Sequence, residues 1–90
     1  MSHKLTIAEE RLLLNRIRKG DIEALEILFI SYRQHVFLDA YLRLKDQAAA
    51  WSVTTEIYSW LWQKKPGLFP FTSIKLMLQE EVKKRTIVQS

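Results

Sequence analysis

LLNRIRKGDIEALEILFISY, residues 13–32, ends one helix and begins another within two residues. Ahead of the break, Leu13, Leu14 and Ile17 share one side of a helical turn. Arg16, Arg18 and Lys19 crowd the last turn, where the helix dipole favours cations. Gly20 is the residue type that takes the left-handed conformation just past a helix end. Asp21 has a side chain that can accept from the first free amides of the next helix. The stretch therefore predicts a helix-to-helix corner rather than one long rod. Upstream, Thr6-Ile7-Ala8-Glu9 has the form of a capping box, in which the Thr hydroxyl and the Glu carboxylate each accept from the other's amide. It opens a first helix over 7–19.

Downstream, a second helix is predicted over 22–44. Leu25, Leu28, Phe29, Tyr32, Val36, Phe37, Ala40 and Tyr41 recur at spacings of three and four, and Ile27, Ile30 and Leu44 widen the stripe. Such a wide stripe makes this the central helix, with more than one neighbour. Lys45-Asp46 forms the next corner, with Asp46 as cap. A third helix over 47–63 carries Ala50, Val53, Ile57, Trp60 and Leu61 on one side, with Trp51, Tyr58 and Trp62 flanking. Val53-Thr54-Thr55 weakens its intrinsic propensity. KKPGLFPFTS, residues 64–73, has two prolines and a glycine and cannot continue the helix. Ser73 or Thr72 caps a last helix over 74–86, with Ile74, Met77, Leu78 and Val82 turned inward. With no strand alternation or repeat, the expected class is all-α: one compact four-helix domain over 1–90.

Composition narrows the function. Hydrophobic residues make up 48% of the 90, enough for one core, and cysteine is absent, which leaves no disulfide scaffold and no thiolate zinc site. No apolar run approaches the roughly 20 residues that span a bilayer, and the opening MSHKLTIAEE has no signal-peptide core, so the expected location is cytoplasmic with no membrane partner. The net charge of +4 is unevenly placed. Residues 1–63 balance, whereas 64–90 hold Lys64, Lys65, Lys75, Lys83, Lys84 and Arg85 against only Glu80 and Glu81. A localised positive field suits a polyanionic partner, although cations near a helix C-terminus are favourable without one.

Catalytic chemistry finds little support. His35 has only Asp39 at helical spacing, a pairing more typical of a surface contact than of a metal or acid–base site. Glu80 and Glu81 are adjacent and point apart, and no Gly-rich phosphate loop or Ser-His-Asp pattern occurs. Neither a reaction nor a cofactor nor a metal is expected. The strongest binding element is Lys64-Lys65-Pro66-Gly67-Leu68-Phe69-Pro70-Phe71, where lysines could meet phosphate while a ring or pocket takes an unstacked base. The competing reading makes Leu68, Phe69 and Phe71 a plug for the core. Trp51, Trp60 and Trp62 cannot all face one core from one helix, so at least one is predicted to be partly exposed, at a protein interface or against a second copy of the chain.

Together these segments resemble region 2 of a bacterial sigma factor of the extracytoplasmic-function type. Leu13, Ile17, Gly20, Asp21, Ala24, Leu25, Leu28, Phe29 and Tyr32 follow the family's opening pattern in order, and Glu56, Ile57, Tyr58, Leu61 and Trp62 follow the end of its third helix. The likeness covers residues 10–65 well and 66–90 loosely. It implies transcription initiation without a reaction: binding to RNA polymerase core through the β′ clamp helices, and to the −10 element of promoter DNA. An anti-sigma factor is a further implied partner. By this resemblance the core-binding residues are Trp51, Ser52, Thr55, Glu56 and Ser59. The DNA-binding set is Lys64, Lys65, Phe69, Phe71, Lys75, Lys83, Lys84 and Arg85. The chain departs from the family where its acidic pair falls on Trp51 and Ser52 and its glutamine on Thr55. The last helix also lacks the family's aromatic positions, and no helix-turn-helix for a −35 element lies within the 90 residues, which reads as a fragment of a longer protein. The alternative is a divergent helical interaction or regulatory module that kept the fold and lost promoter recognition, self-associating through Trp51 and Trp62.

Overall fold

A computed structural model describes residues 5–68 and 73–87. Four helices follow in order: α1 (Ile7–Arg18), α2 (Ile22–Leu44), α3 (Gln47–Gln63) and α4 (Ile74–Thr86), with a single 3-10 turn, Lys65–Gly67, after α3. No strand occurs among the described residues. The protein is an all-α four-helix domain, as the periodicities predict.

Each corner is built as its residues require. At the start of α1 the capping box is complete: Thr6 Oγ1 accepts from the Glu9 amide at 3.1 Å, and Glu9 Oε1 accepts from the Thr6 amide at 2.9 Å. α1 stops at Arg18, one residue before the predicted end, because Lys19 closes the helix and Gly20 takes φ +93°. The Gly20 amide donates to the Ile17 carbonyl at 2.9 Å and the Asp21 amide to the Arg16 carbonyl at 3.1 Å, the paired bonds of a Schellman stop. Asp21 then turns its side chain forward, where Oδ1 accepts from the Ala24 amide at 3.3 Å. Its other oxygen accepts from Arg16 Nε at 2.9 Å, and this guanidinium contact, foremost, holds the carboxyl below the usual range. One aspartate thus ends α1, begins α2 and ties the two together.

The second corner also turns through a left-handed residue, but a less suitable one and with a single closing bond. Lys45 has φ +57° and donates its amide to the Tyr41 carbonyl at 2.7 Å, and Asp46 caps α3 by accepting from the Ala49 amide at 3.2 Å. A side chain in the left-handed region costs about 1 kcal/mol or more, a cost that glycine avoids. The corners therefore predict opposite responses: Gly20→Val lowers stability by about 1–2 kcal/mol, and Lys45→Gly raises it by about 0.5–1 kcal/mol. A Cβ on Gly20 meets nothing within 4 Å, so its cost is backbone strain alone. Urea denaturation of both variants checks the pair, and a shift of the same sign in both would contradict it.

α2 is the central helix and packs against α1, α3 and α4. The core joins Leu14 and Ile17 of α1 and Leu25 and Leu28 of α2 to Ile57 and Leu61 of α3 and Ile74 and Val82 of α4. Tyr32 reaches across to α1, where its hydroxyl donates to the Glu10 carboxylate, 3.2 Å from both oxygens. Burial first, then the Glu10 charge, pushes the phenol up to about 12. The protonated phenol is the folded partner, so this contact is fully present below pH 10 and is lost only as pH rises toward 12. Inside α3 the weak helix former Thr54 is accommodated by donating its buried hydroxyl to the Ala50 carbonyl at 2.8 Å.

The predicted stripe on α2 is wider than the buried one. Ile27, Ile30 and Tyr41 are exposed, and Tyr32, Phe37 and Leu44 only partly covered. Three helices enclose the side bearing Leu25, Phe29, Val36 and Ala40, and among the described residues no element packs on the opposite side. Periodicity reports which side chains are apolar, not how many neighbours exist to cover them.

Candidate interaction surface

The outer face of α3 is set by its inner one. With Ala50, Val53, Thr54, Ile57 and Leu61 buried, a rotation of 100° per residue turns Trp51, Ser52, Thr55, Glu56 and Ser59 into an outward arc of about 140°. All five are exposed. Trp51 lies flat on Phe37 of α2, with centroids 4.2 Å apart, and Phe37 in turn stacks on Tyr41 at 6.0 Å. This ladder of three rings leaves the outer edge of the indole in solvent. Trp62 sits only about 20° around the helix from Trp51, with Trp60 opposite, and both are half-buried.

The end of α3 places its two lysines on aromatic faces. Lys64 Nζ lies 5.5 Å from the centre of the Trp60 ring, and Lys65 Nζ lies 4.3 Å from that of Trp62. The two lysines use rings on opposite flanks of α3, so they spread apart. The 3-10 turn that carries Lys65 is pinned by Leu68, which is fully buried in the core. Leu68 is thus the plug that one reading of this segment expects, while the lysines before it remain at the surface. Phe69 and Phe71, to which the resemblance gives base contacts, lie outside the described residues.

The other predicted cations divide between two sites. Lys75 and Lys83 line an open cleft of about 860 Å³ between α2 and α4, together with Asp39, Arg43 and Glu80. The cleft is mixed in sign, because Asp39 accepts from Arg43 Nε at 3.1 Å and Glu80 shares the wall with the lysines. Arg85 is not free. Its Nε donates to Glu81 at 3.0 Å and its Nη1 to Glu56 on α3 at 3.1 Å, with Lys84 3.7 Å from the same Glu81. Glu81 is buried although its type is usually solvated; its partner four residues on, Arg85, was the signal in the sequence. Glu56 therefore spends one oxygen on α4.

The six cations of residues 64–90 thus fall into three groups rather than one stripe. Among the described residues no helix is long and apolar enough to cross a membrane, and no three His, Cys, Asp or Glu side chains gather closely enough to hold a metal ion. No family model matches the chain, and neither a curated protein nor a solved structure does.

Proposed function

We propose that this domain acts as a sigma-factor-like initiation module, docking on RNA polymerase core through the outer face of α3 and holding melted −10 DNA near the end of that helix. The observation that carries the reading is the surface of α3: Trp51, Ser52, Thr55, Glu56 and Ser59, assigned to core binding by resemblance, are all outward-facing on one helix. Trp51 supplies a partly exposed aromatic anchor, the residue type on which protein interfaces most depend. Polar Ser52, Thr55 and Ser59 lie beside it; the family's acidic pair falls on Trp51 and Ser52 and its glutamine on Thr55. Lys64 and Lys65 stand one turn beyond this face and supply the phosphate contacts, with Lys75 and Lys83 further along the chain. Phosphate contacts set affinity and its salt dependence, while any choice among bases comes from ring and edge contacts.

Binding of fluorescent single-stranded −10 oligonucleotide, measured against salt, tests the DNA half of the reading. Lys64→Ala lowers the salt slope by about one unit and leaves the preference among sequences unchanged. Equal binding of single strand and arbitrary duplex would remove that half. Core docking is tested by capture of purified polymerase core, which Trp51→Ala should weaken at least tenfold.

The second reading, an interaction or regulatory module without promoter recognition, is favoured by the Arg85 contacts. An arginine whose Nε and Nη1 already bond Glu81 and Glu56 has its charge offset by two carboxylates, which weakens its pull on a phosphate, and it offsets the one family charge on α3. Retention of core binding without any single-strand preference would select this reading.

A further inference from the structure

The outward side of α2 has a pattern that neither reading uses. Ile27, Ile30, Leu38, Tyr41 and Leu42 are between 39% and 64% exposed, and at 100° per residue they fall within one arc about 120° wide. Ser31 and Gln34 fill the spaces between them, and no charged residue lies in this arc from Ile27 to Leu42. The stripe is about 22 Å long. Charges return only at its ends: Glu23 in the first turn of α2 and Lys45 immediately after the last. A helix face that is apolar along its length, capped by opposite charges and uncovered by its own fold, is complementary to itself when turned end for end.

We infer that this face is the contact between two copies of the chain, paired as antiparallel α2 helices across a two-fold axis at Gln34. In that register, residues whose numbers total 68 oppose one another. Ile30 meets Leu38 of the second copy, Ile27 meets Tyr41, and Gln34 meets Gln34, which can pair amide to amide across the axis. Glu23 meets Lys45 at both ends, so the pairing joins opposite charges twice. A parallel pairing would instead set Glu23 against Glu23 and Lys45 against Lys45. Charge thus selects both the occupant and its direction. A shallow crossing, near the +20° class, keeps both ends in reach. The apolar side chains of the stripe would bury roughly 500 Å² from each copy, against about 800 Å² per partner in a standard interface. The expected dimer is accordingly weak and reversible, with a Kd on the order of 10–100 µM. The contact uses α2 rather than the outer arc of α3 and meets it only where Tyr41 adjoins the Phe37–Trp51 stack, so cross-linking at Gln34, read without polymerase, tests it separately from polymerase docking.

The absence of cysteine gives a direct test. Gln34→Cys should convert to a disulfide-linked dimer under mild oxidation at 50 µM protein, whereas Leu12→Cys, an exposed position on α1, should cross-link at least tenfold more slowly. Sedimentation velocity of the unmodified chain should show a monomer at 5 µM and a rising dimer fraction toward 200 µM. Glu23→Lys and Lys45→Glu should each weaken association about tenfold, and the two together should restore it, a pattern that poor folding cannot imitate. A chain that stays monomeric at 200 µM overturns the proposal. So does a dimer in which the double exchange fails to restore association, or one in which cysteines at 12 and 34 link at equal rates; either would mean a different face or a different partner.

Discussion

Leu68→Ala is expected to lower the stability of the domain by about 3 kcal/mol, the cost of truncating a fully buried leucine in a well-packed site. Leu68 has no exposed surface and is packed into the cluster formed by all four helices, although it belongs to none of them. It is the residue by which the 3-10 turn after α3 is fastened. For a chain of 90 residues the loss corresponds to a fall of about 12–24 °C in Tm. The functional consequence follows from the same anchor. Once the turn is released, Lys65 loses its fixed position over Trp62, so under the proposed function weaker oligonucleotide binding should accompany the loss of stability even at temperatures where the helices remain folded. Thermal unfolding followed by circular dichroism measures the first effect and oligonucleotide titration the second. A stability change below about 1 kcal/mol would mean that the site collapses around the smaller side chain and that Leu68 fastens nothing.

The second large effect is expected at Arg85. The side chain of Glu81 is 9% exposed and that of Arg85 27%, so Arg85→Ala leaves a carboxylate in a largely dry position with only Lys84, 3.7 Å away, to offset it. Breaking a buried pair from one side costs about 3–5 kcal/mol. With Lys84 remaining and partial access to water, about 2 kcal/mol is expected here. Two further variants separate desolvation from simple contact loss. Glu56→Gln should cost under about 0.5 kcal/mol, because Glu56 lies in solvent. Glu81→Gln combined with Arg85→Ala should recover about half of the single-variant loss, because no uncompensated charge then stays buried. Urea denaturation of the three variants forms the test. If Glu56→Gln proved as damaging as Arg85→Ala, the bond between α3 and α4 rather than the burial of Glu81 would be what matters.

The helices were legible in the sequence because each is bounded by a residue whose chemistry is local. Thr6, Gly20, Asp21, Asp46 and Ser73 act within three or four positions of themselves, and each takes the part its type implies. The apolar inner residues of α3 and α4 were legible from their helical period, whereas the buried Thr54, Glu81 and Thr86 were not, because polar types carry no such signal. What the sequence did not disclose depends on contacts between distant segments. The exposure of Ile27 and Ile30 follows from the number of helices available to cover α2, which no local pattern encodes. The bond from Arg85 to Glu56 spans 29 positions, and only the packing of α4 beside α3 brings them together. The cations were counted correctly along the chain and yet do not form one patch, because helical rotation and the 64–73 connection divide them. The positions of Phe69 and Phe71, on which the base-binding half of the resemblance turns, lie outside the described residues.

The corner at Gly20 and Asp21 has little slack, because both of its amides donate back to α1 and the Asp21 carbonyl accepts from Leu25 of α2 at 3.4 Å. One additional residue there would rotate the whole of α2 by about 100° and carry its inner stripe away from the other three helices. The Lys45-Asp46 corner is under a similar constraint, with its bonds made to Tyr41 of α2 and to Ala49 and Ala50 of α3. Chains with this architecture should therefore keep both corners at fixed length and keep a large apolar residue at the place of Leu68, which holds the turn after α3 to the core.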